Sequence, residues 1–208
     1  MDLNEVVSRL QNVEDQLAIE RLEKIYGYYM DNQMYKEAYG CFSANAESIE
    51  IADRGVFKGF EGIKRFFLGY MGKEHEMGKG HQNRKAGVFA FHMQHQGVVT
   101  VAPDGRTARG RWYLLMLQAR PYPKDGPMRS VIGHGVYEND FVKENGVWKF
   151  QKMYMSLNFR SPIGDGWAMI PVIGEGRATE SDNPPTNYHP YPDMRKVPMH
   201  WKHPVTGE

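Results

Sequence analysis

RSVIGHGVYENDFVKENGVWKFQKMYMSLNF, residues 129–159, reads as two β-strands joined at Asn145-Gly146. An Asn-Gly pair between hydrophobic runs is a strong hairpin signal, because both residues tolerate the backbone of a tight reversal. The flanking strands are Arg129–Lys143 and Val147–Phe159. Working back along the chain, Thr107–Ala119 is another strand, reached across the proline-rich loop Pro121–Pro127. Val88–Val101 precedes it and ends in the turn Pro103-Asp104-Gly105. Four strands in succession with short links predict an antiparallel meander. Within it, Trp112, Leu114 and Met116 alternate onto one face while Arg111 and Tyr113 point to the other.

Upstream of the meander the periodicity is helical. Asp2 followed by Glu5 resembles a capping box. Val6, Leu10, Val13 and Leu17 recur at spacings of four, three and four, and Leu22, Ile25 and Tyr29 extend the stripe. This predicts a long amphipathic helix ending near Asp31. Its first half has coiled-coil-like spacing, over fewer heptads than a coiled coil needs. Met34–Phe42 reads as a short second helix and Phe60–Tyr70 as a third. Between them lie short strands, Glu47–Ala52 and Val56–Lys58, around Asp53-Arg54-Gly55. Met71–Lys85, rich in Gly, Lys and His, reads as a mobile loop or lid. Helices first and strands afterwards define an α+β domain over residues 1–161. From Pro162 the periodicity fades, yet Trp167, Ile170, Val172, Tyr188, Tyr191 and Trp201 are too apolar for a disordered tail. Residues 162–208 are expected to form an extended arm that wraps over its own domain or a neighbouring subunit.

Composition narrows the function. The chain has 208 residues and a formal net charge of +1, so no global field attracts nucleic acid or anionic lipid. The longest compact apolar run, Tyr113–Leu117, is far too short to span a bilayer. The polar, acidic first residues do not read as a signal peptide, which points to the cytoplasm. Cys41 is the single cysteine, which excludes an internal disulfide and a cysteine-based zinc site. Among the eight histidines, His92 and His95 fall on opposite faces of one strand, and His200 and His203 lie in the irregular arm. No metal site is expected. The chain also has no dinucleotide-binding glycine motif, no P-loop and no nucleophile elbow.

Several stretches, taken in order, resemble the SnoaL-like superfamily, which includes scytalone dehydratase, lindane dehydrochlorinase and the polyketide cyclases. Ala18-Ile19-Glu20-Arg21-Leu22, continuing to Tyr28-Tyr29-Met30-Asp31, is similar to its first helix. Lys58-Gly59-Phe60-Glu61-Gly62-Ile63 is similar to its entry into a third helix. Gly133-His134-Gly135-Val136-Tyr137 and Asn145-Gly146-Val147-Trp148-Lys149 resemble its last hairpin. The resemblance spans roughly residues 10–160. It implies a cone-shaped barrel, with three helices packed on a strongly curved, mostly antiparallel sheet around a deep apolar pocket.

The same resemblance implies a catalytic pair, Asp31 at the end of the first helix and His92 in the first long strand. An Asp beside a His fixes the imidazole tautomer and supports general acid–base chemistry near neutral pH. Tyr28, one turn before Asp31, is a candidate hydrogen-bond donor to substrate or a core residue. Trp112 and Met116 are candidates for an aromatic- and Met-lined wall. Tyr137 and Met153 align with pocket positions, and Asn158 is a candidate to orient a hydroxyl group or to cap a strand. Lindane dehydrochlorinase carries an arginine at the position aligned with Met153, so a pocket with few charges and no positive clamp is expected.

The implied activity is that of a cofactor-independent lyase acting on a hydroxylated aromatic molecule. One concrete version is formaldehyde release from a lignin-derived diarylpropane diol, leaving a stilbene. The alternatives are a dehydratase or isomerase of a steroid-like or polyketide substrate, and a non-catalytic ligand-binding protein or dioxygenase small subunit. The expected partners are a small hydrophobic aromatic substrate and further copies of the chain, as a dimer or trimer.

Overall fold

The structure is a computed structural model, and it describes residues 2–72, 87–123, 125–172, 174 and 176–207. Most of the expected loop Met71–Lys85 lies outside the described residues.

Helix α1 runs Leu3–Asp31, and the Asp2 side chain caps it by accepting the Glu5 N–H at 2.8 Å. Its apolar residues do not form the single stripe that spacing predicts. Val6, Leu10, Val13 and Leu17 are all exposed, and no described side chain before Asp15 is buried. The buried face is Asp15, Ile19, Glu23, Tyr26 and Gly27. The helix therefore carries two faces, and only the second half of α1 packs extensively into the core. At the crossover Asp15 accepts from Lys143 Nζ at 2.7 Å and Trp148 Nε1 at 2.9 Å, pinning the helix to the last hairpin.

Helix α2 is Tyr35–Gly40, and α3 is Gly59–Lys64, continuing as a π-helical segment over Arg65–Met71. The strands are β1 Ser48–Ile51, β2 Val56–Lys58, β3 Phe89–Val101, β4 Thr107–Pro121, β5 Met128–Glu144 and β6 Val147–Pro162. They form one sheet in the order β2-β1-β6-β5-β4-β3. Every pairing is antiparallel except β1 with β6. The β5–β6 hairpin turns at Asn145-Gly146 with φ of 50° and 80°, as an Asn-Gly reversal requires. This is an α+β cone: three helices on a curved, unclosed sheet.

Aromatic rings fill the interior. Tyr26 packs edge-on against Phe150 at 5.3 Å, and Phe42 lies 5.1 Å from Phe150. Phe66 and Phe67 extend the cluster from the third helix at 5.0 Å. Burying each such ring stabilises the fold by roughly 1.5–3 kcal/mol. Trp112, a candidate wall residue by sequence, belongs to this core. It is 2% exposed and packs edge-on against Phe141 at 6.0 Å. Gly110 makes room for its indole, since a Cβ there would stand 2.3 Å from the ring.

After β6 the described chain runs without helix or long strand, tied repeatedly to the domain. Asp182 accepts from Lys58 N at 2.7 Å and pairs with Arg65 at 2.7 Å. Glu50 accepts from Thr186 N at 2.6 Å, and Arg111 donates to the carbonyls of Val197 and Pro198. No described helix is long and apolar enough to cross a membrane.

Candidate active site

The sheet and helices enclose a cavity of about 530 Å³. That volume lies within the usual range for small-molecule sites. Tyr26 and Phe66 line it, so part of the aromatic core also forms cavity wall. Met30 comes from the last turn of α1, Gln33 from the turn that follows it, Ala52 and Arg54 from the turn after β1, and His92 and Gln94 from β3. Met116 and Gln118 come from β4, Tyr137 from β5, and Met155, Leu157 and Arg160 from β6.

Asp31 is the last residue of α1. The chain reverses there, with Asn32 Nδ2 donating back to the Tyr28 carbonyl at 2.8 Å and Gln33 in the left-handed region at φ 58°. A carboxylate at a helix C-terminus opposes the helix dipole. Two donors from one residue compensate it. The His92 backbone N–H reaches Asp31 Oδ1 at 2.9 Å, and the ring Nδ1 reaches the same oxygen at 2.7 Å. The two side chains are 15% and 21% exposed, enclosed yet open to a ligand. With Nδ1–H directed at Asp31, the imidazole has one tautomer, and Nε2 is the nitrogen left for other chemistry.

The rung beside this pair also sets a β3 side chain against α1, without a hydrogen bond. Gln94 stands two residues beyond His92 on the same face of β3, and Gly27 stands one turn before Asp31. A Cβ at Gly27 would meet the Gln94 amide oxygen at 2.6 Å, so only glycine lets that amide lie against the helix. Gln94 Nε2 and Gln118 Oε1 are buried with no hydrogen-bond partner among the described residues. Each such atom costs about 1–3 kcal/mol, and both belong to side chains on the cavity wall.

Of the residues singled out from sequence, Asp31 and His92 are brought together, and Met116 and Tyr137 line the cavity with His92. Burial pushes the Tyr137 phenol far above its ordinary range, with the charges of Glu23 and Asp31 adding to the effect, so it stays protonated. Four candidates lie elsewhere. Tyr28 is 72% exposed, because it points to the solvent side of α1. Trp112 is in the core, as described. Met153 is fully buried opposite Ile49, beneath the β1–β6 pairing rather than on the cavity wall. Asn158 donates to His134 Nδ1 at 2.9 Å, and its carbonyl accepts from Tyr191 N at 2.7 Å, so it anchors the following chain.

The expectation of few charges is also corrected. Arg54, Arg120 and Arg160 line the cavity, and Arg160 is 3% exposed. Strict alternation from Met153, Met155 and Leu157 would turn Phe159 inward and Arg160 outward. A register shift between His134 and Gly135 leaves Asn158 as an extra residue on β6. This bulge inverts the alternation. Phe159 then stacks outside on His134 at 5.8 Å and on Trp167 at 4.6 Å, and Arg160 enters the cavity. Nothing in the residue pattern announces the bulge. Gln94 and Gln118 were legible in principle, being two residues from His92 on β3 and from Met116 on β4.

Three or more His, Cys, Asp or Glu side chains do not converge anywhere among the described residues.

The model of the SnoaL-like domain family matches residues 11–154. A solved protein from Novosphingobium aromaticivorans, provisionally named a scytalone dehydratase, is 21% identical over 75% of this chain and 97% of its own, with a TM-score of 0.55. Hexachlorocyclohexane dehydrochlorinase from Novosphingobium barchaimii is 17% identical over 74% of this chain and 94% of its own, at a TM-score of 0.56. An NTF2-like protein with a cystatin-like fold, also from Novosphingobium aromaticivorans, is 16% identical over 81% and 94%, at 0.54. At these identities the likeness is one of fold. No curated protein matches the sequence.

Proposed function

The chain belongs to the SnoaL-like domain family, and from that premise we propose that it is a cofactor-independent lyase acting on a hydroxylated aromatic small molecule, with His92 as acid and base and Asp31 as its orienting partner. The observation that carries this reading is the 2.7 Å contact between His92 Nδ1 and Asp31 on a ring that lines the cavity. Such a pair can take a proton from carbon or oxygen and return one to a leaving hydroxyl, a contribution of typically 10²–10⁴-fold in rate.

The concrete reaction we favour is formaldehyde loss from a lignin-derived diarylpropane diol bearing a phenol. The phenol loses its proton and the benzylic hydroxyl leaves as water, which gives a quinone methide. A base then removes the proton of the terminal hydroxymethyl group. The carbon–carbon bond breaks, its electron pair restores the aromatic ring, and formaldehyde departs. The products are a hydroxystilbene, formaldehyde and water. Developing phenolate charge is stabilised by fixed positive groups, and Arg54, Arg120 and Arg160 on the wall supply them. Among the other wall residues, Met30, Phe66, Met116, Tyr137, Met155 and Leu157 suit aromatic rings.

The test is incubation of the purified protein, without added cofactor, with a panel of phenolic diarylpropane diols. Formaldehyde and the ultraviolet absorbance of a new conjugated product are followed together. The reading predicts that both appear in equal amounts. A conjugated product without formaldehyde would instead mark a dehydratase or isomerase, and silence across the panel would remove the proposed substrate class.

A further inference from the structure

The first turns of α1 present an apolar stripe that the described fold leaves open. Leu3, Val6, Leu10, Val13 and Leu17 are 76%, 40%, 57%, 53% and 60% exposed, and Val7 beside them is 56% exposed. Together they expose on the order of 600 Å² on one helix, the upper end of what a soluble monomer leaves uncovered. The spacing is three, four, three, four, which places the leucines at a and the valines at d of a heptad pattern.

The back of the same helix is committed. In this register Asp15 occupies f, the position opposite the a/d seam, and it is the residue pinned to Lys143 and Trp148. Ile19 and Tyr26, at c positions, enter the core. The domain therefore hangs from the outside of the helix, and nothing in that arrangement obstructs a bundle on the a/d side.

We propose that the stripe Leu3–Leu17 is the interface for further copies of this chain, which associate through a parallel, in-register bundle of their N-terminal helices with the domains arrayed around it. Three observations favour this occupant. In parallel register, Arg9 at g of one helix faces Glu14 at e of the next, a complementary pair; an antiparallel arrangement sets Arg9 against Gln16 and Glu14 against Val7. Leucine at a with a β-branched residue at d favours three or four strands over two, and apolar Val7 at e widens the face in the same sense. A lipid surface is disfavoured, because residues 2–17 carry four acidic side chains, Asp2, Glu5, Glu14 and Asp15, against the single cation Arg9.

The test uses the full chain. Light scattering after size exclusion should give three or four times the chain mass of 24.0 kDa. Leu10→Asp should reduce this to one chain with unchanged circular dichroism, since Leu10 touches nothing in the core. In a Cys41→Ser background, Val13→Cys should cross-link to itself under mild oxidation, because a parallel in-register seam brings equivalent d positions together. A single-chain mass for the wild type, an assembly unmoved by Leu10→Asp, or failure of Val13→Cys to self-link would each overturn the proposal.

Discussion

Glu23 shows how one residue sets a property of the whole protein. It is fully buried in the core, and its Oε2 accepts from Asn139 Nδ2 at 3.0 Å while Oε1 has no partner among the described residues. Burial pushes its carboxyl up to about 8. In the unfolded chain the group ionises near its ordinary value of about 4.3. Between those two values the folded protein holds a proton that the unfolded chain has released. The contribution is therefore fully present below the ordinary carboxyl value and is lost as pH rises toward 8, by up to about 1.4 kcal/mol per pH unit. Urea unfolding at pH 5.5 and 7.5 should show lower stability at the higher pH, and Glu23→Gln should remove most of that difference. An equal slope in the variant would mean that Glu23 is ionised in the fold. At this scale sequence is least informative, since a glutamate on a predicted helix carries no sign of burial. Tyr28 and Glu23 both fall on α1, and only the packing of the helix decides that the tyrosine faces water and the carboxyl does not.

The elements were largely legible. The Asn-Gly turn, the three strands before it and the long first helix are expected within a few residues of where they occur, because hydrophobic period and turn chemistry are local. Side-chain direction within an element was legible only while the period held. The bulge at Asn158 breaks it in β6, which is why Arg160 reaches the cavity and Phe159 does not. In α1 two apolar faces share one sequence period, and the sequence merges them. The β1–β6 parallel pair joins segments about a hundred residues apart, which no local signal encodes. Close approaches at this scale carry their own test. Gly110 lies beneath the Trp112 ring, and Gly110→Ala places a Cβ 2.3 Å from it. Overpacking of this kind costs typically 1–3 kcal/mol. Thermal unfolding should show a corresponding drop in midpoint, and an unchanged midpoint would mean that Trp112 moves freely there.

At the scale of the molecule, the fold brings a helix end and a strand together across 61 residues of sequence, so that one carboxylate oxygen holds both the backbone and the ring of His92. The pair was legible because resemblance supplied the two positions; spacing alone leaves each as an ordinary surface or strand residue. The rest of the cavity wall was less so, since Arg54, Gln33 and Arg160 come from turns and a bulge. We propose that His92 and Asp31 act as one proton-transfer unit. The most direct measurement is a double-mutant cycle on kcat/KM for formaldehyde release from a phenolic diarylpropane diol, using His92→Ala, Asp31→Asn and the double variant. The account predicts a loss of 10²–10⁴-fold for His92→Ala, a smaller loss for Asp31→Asn, and a double variant no worse than His92→Ala, because residues acting as a unit are not additive. Retention of most activity by His92→Ala, or losses that simply multiply, would contradict it.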